Sequence, residues 1–338
     1  MIRSSDQATA FGRNSSLFEF TSVNLATWCL SRLNTHVLGD IIFSKNLCVL
    51  FFLFRRYRHG ATYLGDSTYK SYYSKDVQGV WIRSPHRRTA HDLIIYFIHG
   101  SGFARVSVYA YLEFLTTLLV ALQMQGFRNP AIFAIDYSQQ SKFNSQLSNV
   151  TRGWNYICSE FAYSNLVLLG DSNGATLSLS FLLHAVRPYP RSVSACSRQP
   201  LAAILISPAT YLFSPKTATS TDFMTPNTLM RYSKTYKDDD ADSTDVYHSP
   251  GLARSTEWWA RALPERGTIL IYGQEEMLAP EIEELYSMLK QCGKVKLEGE
   301  QGQLHSWPTV MTVLGRSRQA KEAGSARIAN SLAKMVLW

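Results

Sequence analysis

The sequence predicts an α/β domain built on a mainly parallel sheet with helices on both faces. Three observations carry that expectation. From residue 78 onward, short apolar runs alternate with longer amphipathic stretches. The runs have strand length and the stretches between them have helix length. Strand–helix alternation places parallel strands side by side and covers the sheet on both faces. The chain has 338 residues, 46% of them hydrophobic and 18% charged. That is enough for one large α/β domain or two small ones, with a substantial core.

Residues 1–60 read as an N-terminal helical segment and residues 61–338 as the main domain. Val37 to Phe54 is mostly apolar and is followed by Arg55, Arg56 and Arg58. Asp40 and Lys45 interrupt it, and the clean part, Leu47 to Phe54, falls well short of the roughly 20 residues a spanning helix needs. The segment therefore reads as an amphipathic helix packed on the domain, or lying on a membrane surface through residues 37–58. A weak signal anchor is the alternative.

The strands are expected at Gly79–Arg83, Leu93–Ile98, Ala131–Tyr137, Leu166–Leu169, Ala202–Ile206, Thr268–Tyr272 and Val295–Leu297. Tyr109 to Gln125 reads as a helix closed by Gly126, and Ala175 to Val186 as one stopped by Pro188. Glu281 to Gln291 puts Ile282, Leu285 and Leu289 on one face, and Arg327 to Val336 does the same with Ile328, Leu332 and Met335. Tyr211 to Pro264 breaks the alternation. It is rich in Ser, Thr, Asp and Pro, and Asp238, Asp239 and Asp240 read as a solvated loop. Phe223, Met224, Leu229, Met230, Trp258 and Trp259 supply apolar bulk, as a lid with partly exposed aromatics would.

Composition excludes several functions. The formal charge is +8, but Lys and Arg are spread along the chain, so a modest basic surface is expected and nucleic-acid binding is not. The five cysteines, Cys29, Cys48, Cys158, Cys196 and Cys292, are widely spaced. They form neither a disulfide framework nor a zinc pattern. Buried, reduced thiols place the protein inside the cell, in the cytoplasm or at the endoplasmic-reticulum membrane.

Gly170-Asp171-Ser172-Asn173-Gly174 carries the chemistry. Val167 to Leu169 supplies a buried strand before it and Ala175 to Val186 a helix after it. A serine on such a corner is held in a strained turn with its hydroxyl exposed, and glycines are needed where strand and helix come close. The N–H of Asn173 then points at the reacting oxygen, aided by the helix N-terminus. The same tripeptide at Gly65 to Ser67 has no apolar run before it and no glycine after it, so Ser67 reads as a turn residue.

His99-Gly100-Ser101-Gly102-Phe103 follows the strand Leu93–Ile98. A glycine-rich strand end exposes backbone N–H groups, which acyl transfer needs because negative charge grows on the carbonyl oxygen. A serine hydroxyl also needs a base, and the base an orienting acid. Of eight histidines, only His184, His248 and His305 follow Ser172. His184 lies on the helix after the corner, His248 in the inserted segment, and His305 in a loop after the last strand, where a base belongs. The loop after Thr268–Tyr272 offers Glu275 and Glu276 as the acid, and one of this pair is expected to face solvent.

Together these motifs resemble the hormone-sensitive-lipase-like branch of the α/β-hydrolases, over about residues 80 to 312. Within it the chain is most similar to the fungal group that includes steryl acetyl hydrolase. His99-Gly-Ser-Gly-Phe resembles the His-Gly-Gly-Gly oxyanion motif, and Asp136-Tyr137-Ser138 resembles the Asp-Tyr turn. Gly170-Asp-Ser-Asn-Gly resembles the Gly-Asp-Ser-Ala-Gly elbow, and Ile206-Ser207-Pro208 the Ile-Ser-Pro strand end. In the family's acid loop the acid stands two places before a leucine, and that register selects Glu276, with Leu278 as the leucine. Three departures stand out. Ser101 replaces a glycine, Glu276 stands where aspartate is common, and Ala175 replaces a frequent second glycine.

The resemblance implies an α/β-hydrolase fold with a lid at about 211–264. It also implies a carboxylic ester hydrolase acting through Ser172, His305 and Glu276. The N–H groups of Ser101, Gly102 and Asn173 would form the oxyanion hole, and no metal or organic cofactor is required. The expected substrate is a short acyl or acetyl ester of a lipophilic alcohol, such as a sterol or a fungal secondary metabolite. Fungal members often carry an N-terminal membrane anchor. The same three side chains also suit an amidase, a formamidase or an acyl-transfer or cyclisation enzyme. A hydrolase fold kept only for binding usually lacks the serine or the histidine, and this chain has both.

Overall fold

A computed structural model describes residues 9–32, 43–59, 68–85, 90–100, 106–137, 142–191, 194–212, 222–239, 241–242 and 244–338. Its centre is an eight-stranded sheet: β1 (Thr68–Tyr73), β2 (Gln78–Arg83), β3 (Leu93–Ile98), β4 (Pro130–Ile135), β5 (Asn165–Asp171), β6 (Ala202–Ile206), β7 (Thr268–Gly273) and β8 (Val295–Glu300). The order is β1-β2-β4-β3-β5-β6-β7-β8. From β4 to β8 every neighbouring pair is parallel, while β2 runs antiparallel to both β1 and β4. This is the mainly parallel sheet of the α/β-hydrolase fold. All seven expected strands are present, with ends shifted by a few residues, and β1 is additional.

The helices are α1 (Ala10–Asn14), α2 (Leu17–Arg32), α3 (Lys45–His59), α4 (Leu112–Met124), α5 (Phe143–Glu160) and α6 (Asn173–Val186). They continue with α7 (Pro226–Tyr236), α8 (Thr256–Ala262), α9 (Ala279–Leu289), α10 (Trp307–Leu314) and α11 (Arg318–Val336). A 3-10 turn, Val108–Tyr111, leads into α4, so the helix expected from Tyr109 begins three residues later. The expected last helix extends nine residues further back, to Arg318.

Both sheet faces are sealed, and the alternation along β3 shows how. Ile94, Tyr96 and Ile98 join one core with Trp154 of α5, Leu179 of α6 and Ile282 of α9. Leu93, Ile95 and Phe97 join the other with Leu115 and Leu118 of α4 and Ile328 and Leu332 of α11. Successive strand residues point to opposite faces, so a strand buried twice reads as one unbroken apolar run.

Three readings need correction. Trp258 and Trp259 are buried, not partly exposed. Their indole N–H groups donate to Leu183 O and Ala253 O, so α8 belongs to the body of the domain. Asp238 is buried as well: its carboxylate lies 3.4 Å from His248 Nε2, while Asp239 remains solvated. Cys48 is buried but Cys158, Cys196 and Cys292 are only half-buried; all four are free thiols.

The segment 37–58 is described from Phe43 onward, and Val37 to Ile42 and Ser67 lie outside the described residues. Arg55 on α3 donates to both carboxylate oxygens of Glu113, at 3.0 and 2.7 Å, and to Thr312 O at 3.1 Å. That fork pins one face of α3, with Cys48 and Phe52, to α4 and α10. Leu50, Phe51, Leu53 and Phe54 face outward. Among the described residues no helix is long and apolar enough to cross a membrane.

Candidate active site

β5 delivers Ser172 at its C-terminal end, and α6 starts at the next residue. Ser172 has φ 53° and ψ −118°, a conformation that L-residues avoid. It is over-determined by its surroundings: the Ser172 N–H donates to Ile206 O at 2.8 Å, and the flanking glycines admit the close approach. A Cβ on Gly170 would lie 2.5 Å from Ser178 Oγ, and one on Gly174 would collide with Ile98 O and sit 2.6 Å from His99 O. The Ser172 carbonyl accepts from the N–H groups of Ala175 at 2.9 Å and Thr176 at 3.0 Å, which closes the first turn of α6. The amide of Asn173, ahead of them, is one of those a helix start leaves without an intrahelical acceptor. The Asn173 side-chain amide is buried without a hydrogen-bond partner.

The Ser172 hydroxyl donates to His305 Nε2 at 2.7 Å. His305 is buried, and its Nδ1 faces Glu276 Oε1 at 3.6 Å. That is an ion-pair separation, longer than a hydrogen bond; such contacts tighten when substrate excludes water. Glu276 is buried too, and its other oxygen accepts from Ser207 Oγ at 2.6 Å and from Gly273 N–H at 3.0 Å. Burial pulls the His305 imidazole towards lower pKa. The carboxylates of Glu276, Asp222 and Asp171 outweigh burial, and the net direction is upward from the ordinary imidazole value.

The loop expected to supply oxyanion donors is anchored where it leaves β3. The His99 imidazole is buried and donates from Nδ1 to Gly100 O at 3.0 Å; burial lowers its pKa and keeps it neutral. Tyr137 OH donates to His99 O at 2.7 Å. Ser101 and Gly102, the other two expected oxyanion donors, lie outside the described residues. So does Ser138 of the Asp-Tyr-Ser turn.

The structure therefore brings together Ser172, His305, Glu276 and the N-terminus of α6. His184 and His248 are elsewhere. His184 is buried, and its Nε2 donates to Ser194 O at 2.8 Å. His248 packs at a tilt against Phe143 with ring centres 4.2 Å apart. Glu275 is not idle in solvent: it accepts from the N–H groups of Ala10 at 2.7 Å and Phe11 at 3.0 Å, at the start of α1.

Three more polar residues complete the surroundings, none assigned a role from sequence. Ser207 has φ 47°, and besides donating to Glu276 it accepts from Ser306 N–H at 2.9 Å. Asp171 accepts from Tyr111 OH at 2.8 Å; burial lifts its carboxyl to about 6, with His305 opposing. Asp222, from the inserted segment, accepts from Met277 N–H at 3.0 Å. The Ile-Ser-Pro strand end and the Gly-Asp-Ser elbow contain Ser207 and Asp171 without giving either a role, and no motif pointed to Asp222. Beside His305 lies a small apolar cavity lined by Phe11 and Val23 from the N-terminal helices, Phe223, Leu304 and Met311. Among the described residues no cluster of His, Cys, Asp or Glu could hold a metal ion.

Comparison with known proteins agrees with this architecture. A hormone-sensitive lipase from a metagenome library superposes with a TM-score of 0.71 at 18% identity, covering 94% of this chain and 98% of that one. A fungal esterase from Rhizomucor miehei gives 0.70 at 18% identity, covering 95% and 98%. Carboxyl esterase 2 from the mycorrhizal fungus Tuber melanosporum gives 0.64 at 19% identity, covering 80% and 87%. At such identities the likeness establishes the fold. No curated protein matches the chain significantly. The family model described as steryl acetyl hydrolase matches residues 62–305, well over half of the chain. The chain belongs to the steryl acetyl hydrolase family and is a carboxylic ester hydrolase of the α/β-hydrolase fold.

Proposed function

We propose that the protein cleaves a short acyl ester, an acetate foremost, of a bulky lipophilic alcohol such as a sterol or a secondary metabolite, through Ser172, His305 and Glu276. The observation that carries this reading is the 2.7 Å contact of the Ser172 hydroxyl with His305 Nε2 at a strained strand–helix corner. Ser172 Oγ attacks the ester carbonyl carbon and its proton passes to His305 Nε2. Glu276 steadies the imidazolium that forms. The carbonyl oxygen, now negative, is held by backbone N–H groups of Asn173 and of the loop carrying Ser101 and Gly102. His305 then protonates the departing alcohol, leaving an acyl-enzyme at Ser172. A water deprotonated by His305 attacks that ester, and the acid is released with the serine proton restored.

The family description supports an acetyl group and a sterol-like alcohol. A lipid-soluble substrate also fits a protein that rests on a membrane through the outward apolar face of α3. The test is hydrolysis of p-nitrophenyl acetate and of steryl acetates by the full chain. Ser172→Ala is expected to lose turnover by several orders of magnitude. Undiminished turnover in that variant rejects the reading.

A further inference from the structure

Resting on that reading, we propose that Asp222 is a positioning residue for the reaction: a carboxylate carried by the inserted segment that fixes the acid loop and adds negative charge beside His305. Asp222 is buried, and its Oδ2 accepts from the Met277 N–H at 3.0 Å. Met277 directly follows Glu276, so Asp222 holds the peptide unit that bears the acid. The next residue, Phe223, meets the His305 ring edge to face with centres 5.9 Å apart. Two consecutive residues of the insertion thus grip the acid and the base of the relay.

The charge argument follows from what faces His305. Ser172 occupies Nε2 and Glu276 faces Nδ1. Asp222 from the insertion and Asp171 from β5 add their fields. Glu19 of α2, satisfied by the N–H and hydroxyl of Ser16, lines the same cavity. Burial raises the Asp222 carboxyl to about 6, with His305 pulling it down and Glu276 pushing it up. The pull of His305 favours its ionised form. Burying a second carboxylate near Glu276 is costly for the resting protein. The cost falls when His305, whose proton both carboxylates favour, becomes a cation, which is the state reached as Ser172 attacks. Seating of the insertion and proton affinity of the base are then one equilibrium.

The experiment is the pH dependence of kcat/KM on p-nitrophenyl acetate for the full chain, its Asp222→Asn and Asp222→Ala variants, and Ser172→Ala. Asparagine keeps an acceptor for the Met277 N–H and removes the charge. The Asp222→Asn acid limb is expected to move to lower pH by about half a unit or more. Asp222→Ala is expected to show the same shift together with a fall in kcat. An Asp222→Asn acid limb coincident with that of the unsubstituted protein overturns the proposal, because a purely structural role leaves the limb in place. The rate of fluorophosphonate labelling at Ser172 follows the same limb in the folded fraction, so a destabilised variant still reports. Retained turnover in Ser172→Ala removes the underlying reading instead, which keeps the two failures apart.

Discussion

Ser207 Oγ donates a 2.6 Å hydrogen bond to Glu276 and accepts one of 2.9 Å from the N–H of Ser306, the residue after His305. One hydroxyl at the end of β6 thereby joins the loops that carry Glu276 and His305. Its own backbone, at φ 47°, is held by the Ser207 N–H donating to Ile271 O at 2.8 Å. The register of β6 and β7 is in this way transmitted to the spacing of Glu276 and His305.

Ser207→Ala removes the donor to Glu276 and orphans the Ser306 N–H. Leaving such buried groups unpaired costs about 1–3 kcal/mol. Where that loss is expressed in the transition state, kcat/KM falls roughly 5- to 150-fold. Steady-state kinetics beside a urea unfolding curve separates the catalytic loss from the loss of stability.

The proposed mechanism requires neutral His305, and the carboxylates around it hold its pKa above the ordinary value. A raised pKa keeps the proton on the imidazole to higher pH, so activity rises with pH through a limb centred above about 6.5. A kcat/KM profile on p-nitrophenyl acetate checks this; a midpoint well below that value contradicts it.

Gly174→Ala drives a methyl group into the carbonyls of Ile98 and His99 at the end of β3. Neither carbonyl can easily swing aside: Ile98 ends β3, and the His99 carbonyl accepts from Tyr137 OH at 2.7 Å. Overpacking of this kind costs about 1–3 kcal/mol, and here it also displaces the first turn of α6 from Ser172. A lowered melting temperature together with slowed fluorophosphonate labelling is expected.

Glu275→Ala leaves the first N–H groups of α1 without their carboxylate. A charged capping interaction is worth about 0.5–2 kcal/mol. Hydrogen exchange at residues 10–14 is expected to accelerate while the core strands stay protected.

Leu50, Phe51, Leu53 and Phe54 are 47–63% exposed along one side of α3. Leu50→Glu combined with Phe54→Glu is expected to abolish flotation of the protein with phospholipid vesicles, leaving hydrolysis of p-nitrophenyl acetate intact. Flotation unchanged by both substitutions argues against lipid contact through this helix.

The sheet and the serine corner were legible because each rests on local signals. Val167 to Leu169 followed by two glycines flanking a serine fixes strand, turn and helix within one short window. His305 followed from chain order and Glu276 from the register of a resembling loop. Asp222 and Ser207 were not legible, because they act through a backbone amide and through groups 69 to 99 residues away. α5 was missed because Asn, Ser and Thr dilute its apolar stripe of Phe143, Leu147, Val150, Trp154 and Ile157. β1, Thr-Tyr-Lys-Ser-Tyr-Tyr, is a sheet edge with no fully buried residue, so it lacks the apolar run that marks the other strands. Asp238 was misread because a run of three aspartates hides one that turns inward to His248.

The grip of Glu275 on the first turn of α1 makes the acid loop and the N-terminal helices a single unit of inheritance. Chimeras that swap these helices between relatives must carry residue 275 with them. A graft that ignores the pairing leaves the Glu275 carboxylate without its two amide donors, one peptide bond from Glu276.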